Sequence, residues 1–156
     1  MKTLVLFESF FGNTEKIARA IGESLTPSTE VEVVRVNDVK PEQLEGINLL
    51  ILGSPTRGFR PGEATQAFLF HLPAGSLTGI QAAAFDTRID PNGVTSKMLR
   101  FLVKSFGYAD KSLISGLEKK GASIISTAQG FIVNGSEGPL KDGEVERAAA
   151  LAKTLI

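Results

Sequence analysis

Hydrophobic side chains fall into short continuous runs separated by longer segments in which they recur every three or four positions. The runs are residues 4–7, 31–36, 47–52, 80–85 and 122–126. Three of them lack polar alternation, as strands covered on both faces do. The run 31–36 alternates instead, with Glu32 and Arg35 interrupting, which predicts an edge strand. Between the runs, Ile17, Ala18, Ile21 and Leu25 keep helical spacing, as do Ala64, Ala67, Phe68 and Leu72. Met98, Leu99, Leu102, Val103 and Phe106 form a third stripe ending at Gly107, and Leu113 with Leu117 a fourth ending at Gly121. Val145, Ala148, Ala149, Ala152 and Leu155 mark a last helix, with Asp142 placed to cap it and Glu144 and Glu146 favourable in its first turn.

Strands alternating with helices imply right-handed crossovers and helices on both faces of a parallel sheet. The expectation is an α/β three-layer sandwich with five strands. No repeat or low-complexity linker divides the chain, so residues 1–156 read as one domain. Segments 53–62, 86–93 and 130–143 are loops rich in Gly and Pro, and two of them directly follow strands. Open α/β sheets bind ligands beyond the carboxyl ends of their strands, where the winding reverses.

Composition removes several alternatives. Seventeen Lys+Arg balance seventeen Asp+Glu, so no global field recruits nucleic acid or an anionic membrane. The absence of Cys and the single His exclude thiol chemistry, iron–sulfur clusters and polyimidazole zinc sites. No run reaches membrane-span length and Glu8 ends the first apolar run too early for a signal peptide, so a cytoplasmic protein is expected.

The most informative segment leads from the first strand into the first helix: Glu8-Ser9-Phe10-Phe11-Gly12-Asn13-Thr14-Glu15. A glycine turn before a helix start exposes unpaired amides, and Ser9, Asn13 and Thr14 add donors around the same point. A phosphate fits there, held by dipoles because Lys16 is the only nearby cation. An ordinary strand-to-helix turn capped by Asn13 fits the same spacing.

Ser9-Phe10-Phe11-Gly12-Asn13-Thr14 resembles the phosphate loop of flavodoxins, written Ser/Thr-x-Thr-Gly-x-Thr, in the same place after the first strand. The likeness covers nearly the whole chain. Gly53-Ser54-Pro55-Thr56 resembles the second flavin loop, which continues through Arg57, Gly58 and Phe59. Asp86-Thr87-Arg88 falls where the third lies, and Glu137-Gly138-Pro139-Leu140 precedes a final helix as in some small flavodoxin-like proteins. The resemblance implies a sheet of order 2-1-3-4-5 that binds FMN through these three loops. Phe11 departs from the pattern by replacing the middle Thr, a loss of about 1 kcal/mol for one hydroxyl contact.

The second loop sets Phe59 between Arg57 and Arg60, so Phe59 either stacks on the flavin ring or plugs the loop against the core. The third loop has no Tyr or Trp, which leaves one ring face open to a second reactant. Electron-shuttle flavodoxins are typically acidic; here Arg57, Arg60 and Arg88 occupy the ring loops, which predicts a less reducing flavin.

Other chemistries lack their parts. In residues 53–58 the P-loop glycine spacing is followed by Phe59 where Lys is needed, and no dinucleotide fingerprint or nucleophile elbow occurs. Asp90, Asn92 and Gly93 hint at calcium, but that frame puts Arg88 at the first ligand and Leu99 at the last. His71, with no second imidazole to join, reads as a helix-end cation. No metal site and no catalytic residue is expected. The reading is an FMN-binding electron carrier between a reductase and an acceptor. A small FMN-dependent reductase stands beside it, as does a flavin-free binding or regulatory module in which Phe10 and Phe11 take up the cofactor's space.

Overall fold

The computed structural model describes residues 1–90 and 96–156. The chain runs β1 (Lys2–Phe7), α1 (Asn13–Leu25), β2 (Glu30–Arg35), a 3-10 turn (Pro41–Leu44), β3 (Leu49–Arg57) and β4 (Arg60–Pro61). It continues through α2 (Glu63–His71), β5 (Gln81–Ile89), α3 (Lys97–Phe106), α4 (Asp110–Lys119), β6 (Ser123–Ile124), β7 (Gln129–Val133) and α5 (Glu144–Ala152). Asn92 and Gly93, weighed above for calcium, lie outside the described residues.

The main strands pair in parallel in the order β2-β1-β3-β5-β6, with β7 continuing the last track beside β5. This is the expected 2-1-3-4-5 winding, with the fifth strand in two pieces. Residues 122–126 supply only the two-residue β6, and β7 lies in the segment read as a loop because Gly130 interrupts its apolar pattern. The alternating run at 31–36 falls on β2, the edge of the sheet, as its pattern predicts.

Alternate strand residues feed two cores. Leu4, Leu6, Leu50, Leu52, Ala82 and Ala84 face Leu69 of α2 with Leu113 and Leu117 of α4. Val5, Phe7, Leu49, Ile51 and Phe85 face Ile17 and Ile21 of α1 with Ala148 and Ala152 of α5. Burying each of the larger side chains stabilises by about 1.5–3 kcal/mol. Three layers follow.

Two helices turn differently from their stripes. In α2 the buried residues are Thr65 and Leu69, while Ala67 is exposed. The stripe on α3 forms a helix but has no fully buried residue, Leu102 and Val103 being half-buried. Asp142 does not cap α5; Gly143 holds the N-cap with no side-chain bond. No helix of the described residues is long and apolar enough to cross a membrane.

Candidate functional site

The turn from β1 into α1 is built on Gly12, whose φ of 90° is a left-handed conformation costing an L side chain about 1–2 kcal/mol. Gly12 donates its N–H to Ser9 Oγ (3.0 Å) and accepts from Lys16 N (3.1 Å). The cap is therefore Gly12 and not Asn13, whose side-chain amide instead donates to the Glu137 carbonyl (3.0 Å). The backbone N–H groups of Asn13, Thr14 and Glu15 have no acceptor among the described residues. Helix starts leave such donors free. Phe10 and Phe11 are each about half exposed (53% and 52%) and line the cavity beside this turn.

The residues assigned to the second and third loops lie on strand ends. β3 runs on to Arg57 because the β4 hairpin pairs with it, and β5 runs on to Ile89 because β7 does. Pro55 and Thr87 are direct partners in the sheet. Gly58 and Phe59 form the two-residue hairpin turn, both at positive φ (53° and 68°), as tight hairpins require. Phe59 packs on Phe106 of α3 at 5.6 Å between ring centres.

Asp86 ties these strands together. It is fully buried, accepting from Thr56 Oγ1 (2.8 Å) and Arg88 Nε (2.8 Å). Burial raises its pKa from the ordinary 3.8, against the opposing pull of Arg88 and Thr56. Arg88 also lies 3.5 Å from Asp110 and stacks on Tyr108 at 3.9 Å. Its Nη2 sits 2.7 Å from Asp86 as an ion pair, without hydrogen-bond geometry. The side chains of Thr14 and Thr87, both buried, share a hydrogen bond of 2.8 Å that joins the first and third segments.

These elements enclose a cavity of about 250 Å³. Of the residues predicted from sequence, Ser9, Phe10, Phe11, Asn13, Thr14, Pro55, Thr56, Arg57, Gly58, Thr87 and Arg88 line it. Gly12 shapes it from the turn, Asp86 stands behind Thr56 and Arg88, and Phe59 faces α3 instead. Ile89, Val133 and Ser136 also line it and were missed; the only hint was the Glu137-Gly138-Pro139-Leu140 segment beside Ser136.

The lining holds hydroxyls, free amides and two guanidinium groups but no carboxylate. That donor set fits a phosphomonoester dianion at the α1 start, with apolar and aromatic side chains available for a flat ring. Among the described residues no cluster of His, Asp or Glu suits a metal ion.

The family model for flavodoxin matches residues 5–150. No curated protein matches the sequence. Among solved structures, a flavodoxin from the domain Archaea aligns with 21% identity and TM-score 0.76, covering 99% of this chain and 96% of that one. Flavodoxin 1 from Bacillus cereus aligns with 23% identity and TM-score 0.74, covering 98% and 95%. Rubredoxin oxygen:oxidoreductase from Desulfovibrio gigas aligns with 19% identity and TM-score 0.75, over 98% of this chain but 34% of that larger one.

Proposed function

This chain belongs to the flavodoxin family, whose cofactor is FMN, and we propose that it carries electrons between a reductase and an acceptor with FMN held in the cavity around Thr14 and Thr87. The observation that carries this reading is the convergence of acceptor-free amides and the Ser9, Thr14 and Thr87 hydroxyls on one cavity without a carboxylate. The flavin-free alternative needed Phe10 or Phe11 to occupy that space, and both stand half exposed.

When bound, FMN supplies one- and two-electron redox chemistry that no side chain here offers. The α1 amides and the hydroxyls would hold its phosphate, while Pro55, Thr56, Arg57, Gly58 and Arg88 would surround the remainder. Asp86 contributes at one remove, by fixing Thr56 and Arg88 to each other. A titration of FMN-free protein with FMN tests the assignment. Saturable binding with a perturbed flavin spectrum and a raised melting temperature is the expected result; a melting temperature indifferent to excess FMN rejects it.

The charge argument narrows to one residue. Arg88 is neutralised by Asp86 and Asp110, and Arg60 does not line the cavity. Arg57 lines it, stacks on Phe10 at 4.3 Å and forms no ion pair with a described residue. Arg57→Gln is therefore expected to lower the flavin's one-electron potential by about 40 mV, the equivalent of about 1 kcal/mol, whereas Arg60→Gln leaves it nearly unchanged. Redox titration of both variants measures the difference, and equal potentials refute the assignment to Arg57.

A further inference from the structure

Among the five α-helices of the described residues, α3 alone contains no buried residue. Its apolar side chains Met98 (73%) and Phe101 (66%) stand largely in solvent, as does Phe106 (65%) apart from its contact with Phe59. Lys97, Arg100 and Lys104 follow one another at three- and four-residue spacing and share a face. The helix carries no acidic residue, and none of the three cations forms an ion pair with a described residue. In a chain of zero net charge, this is a local concentration of positive charge.

The end of α3 is anchored to both cavity-lining strands. Phe106 packs on Phe59 in the β3–β4 turn, and the Tyr108 hydroxyl donates to the Ile89 carbonyl (3.2 Å). The Ala109 N–H donates to Thr56 Oγ1 (3.1 Å). The positive φ of Phe59 belongs to the two-residue hairpin turn, which presents its ring to Phe106. The C-terminal end of α3 is thus attached to the two cavity-lining strands, and its Phe106 meets the turn flanked by the exposed Arg57 and Arg60.

From this arrangement, and resting on the electron-carrier reading above, we infer that α3 is the docking element for a redox protein that presents an acidic rim around an apolar centre. Apolar centre and charged rim are the ordinary anatomy of such contacts, and opposite charge speeds the encounter. A second copy of this chain is the wrong occupant, because a two-fold contact sets the same three cations against each other. A lipid surface is also disfavoured. Leu102 and Val103 are half-buried and Phe106 is engaged with Phe59, which leaves Met98, Leu99 and Phe101 as the apolar side chains free to enter a bilayer.

The test measures binding by fluorescence anisotropy of labelled probes: a strongly acidic [2Fe–2S] ferredoxin and, as the opposite charge, basic cytochrome c. The acidic probe is expected to bind with a Kd of about 10 μM at low salt and about tenfold more weakly at about 300 mM salt. The triple variant K97E/R100E/K104E should bind it at least about tenfold more weakly and gain affinity for cytochrome c. Phe101→Ser should weaken binding without changing its salt dependence. Circular dichroism confirms that each variant keeps its helices, and a variant that loses them is replaced by the neutral K97Q/R100Q/K104Q. No binding of the acidic probe at low salt, binding indifferent to charge reversal, or preference for phosphatidylglycerol vesicles over the acidic probe overturns the proposal. Measuring FMN-loaded and FMN-free protein separates the two readings: failure to bind FMN rejects the cofactor assignment, whereas docking through α3 is read independently in both forms.

Discussion

Replacing Glu8 by alanine is expected to destabilise the protein by about 3 kcal/mol, because three hydrogen bonds to a buried carboxylate are lost at once. Glu8 follows β1 and is only 8% exposed. Its Oε1 accepts from Ala64 N (2.9 Å), and its Oε2 from Thr65 Oγ1 (2.9 Å) and Thr65 N (3.3 Å). These amides open α2, whose own N-cap, Gly62, has no side chain to offer them. A Cβ at Gly62 would overlap the Glu8 carboxylate, so the glycine and the acid are mutually required. A negative charge is also favoured there by the helix dipole.

The same carboxylate joins the end of β1, just before the cavity-lining turn into α1, to the start of α2 that follows the β3–β4 hairpin. In a chain of this length about 3 kcal/mol corresponds to a fall of roughly 6–12 °C in melting temperature. Glu8→Gln, which keeps one acceptor but turns a donor toward an N–H, is expected to recover less than half of the loss. Thermal unfolding of both variants without FMN provides the measurement. A fall under about 1 kcal/mol for the alanine variant would show that water satisfies the α2 amides and that Glu8 is dispensable.

Glu8 also marks the boundary of what the sequence makes legible. The first four strand runs and the stripe of α1 are read correctly because the sheet is covered on both faces and α1 packs on it through consecutive turns. That local periodicity is enough to yield a parallel α/β sheet with its loops at the strand ends, while the winding order comes from the resemblance of the loops to those of flavodoxins. Partners distant in sequence leave no such trace. Glu8 reads as the polar end of an apolar run until α2, 56 residues away, is seen to use it. Asn13 and Asp142 have the chemistry of caps, yet glycines hold both caps, and Asn13 reaches across to Glu137. Gly130 reads as a strand breaker, but the Arg88 guanidinium occupies the room its missing side chain leaves. The stripe on α3 is true helical periodicity. Periodicity reports that an apolar face exists and not what covers it.

The largest functional effect is expected at the hydroxyl pair that joins the first and third segments. Thr14 Oγ1 and Thr87 Oγ1 lie 2.8 Å apart, so one hydroxyl donates to the other and only one proton remains to donate elsewhere. Both residues line the cavity that holds the phosphate-binding donors. Thr14→Val leaves the Thr87 hydroxyl free to turn toward the anion, and Thr87→Val leaves that of Thr14; each single variant should lose only about threefold to fivefold in FMN affinity. The double variant has no proton to offer. A hydrogen bond to a charged group contributes about 1.5–3 kcal/mol, so its affinity should fall about a hundredfold, more than the product of the single losses at the lower end of their range. Valine preserves volume in a site where both side chains are almost wholly buried, which keeps the cavity's shape while removing the donors. Fluorescence titration of FMN against the four proteins of the cycle measures the coupling. Strict additivity would mean that each hydroxyl serves the cofactor separately; an unchanged double variant would move the phosphate away from the pair altogether, to the acceptor-free amides of the α1 start alone.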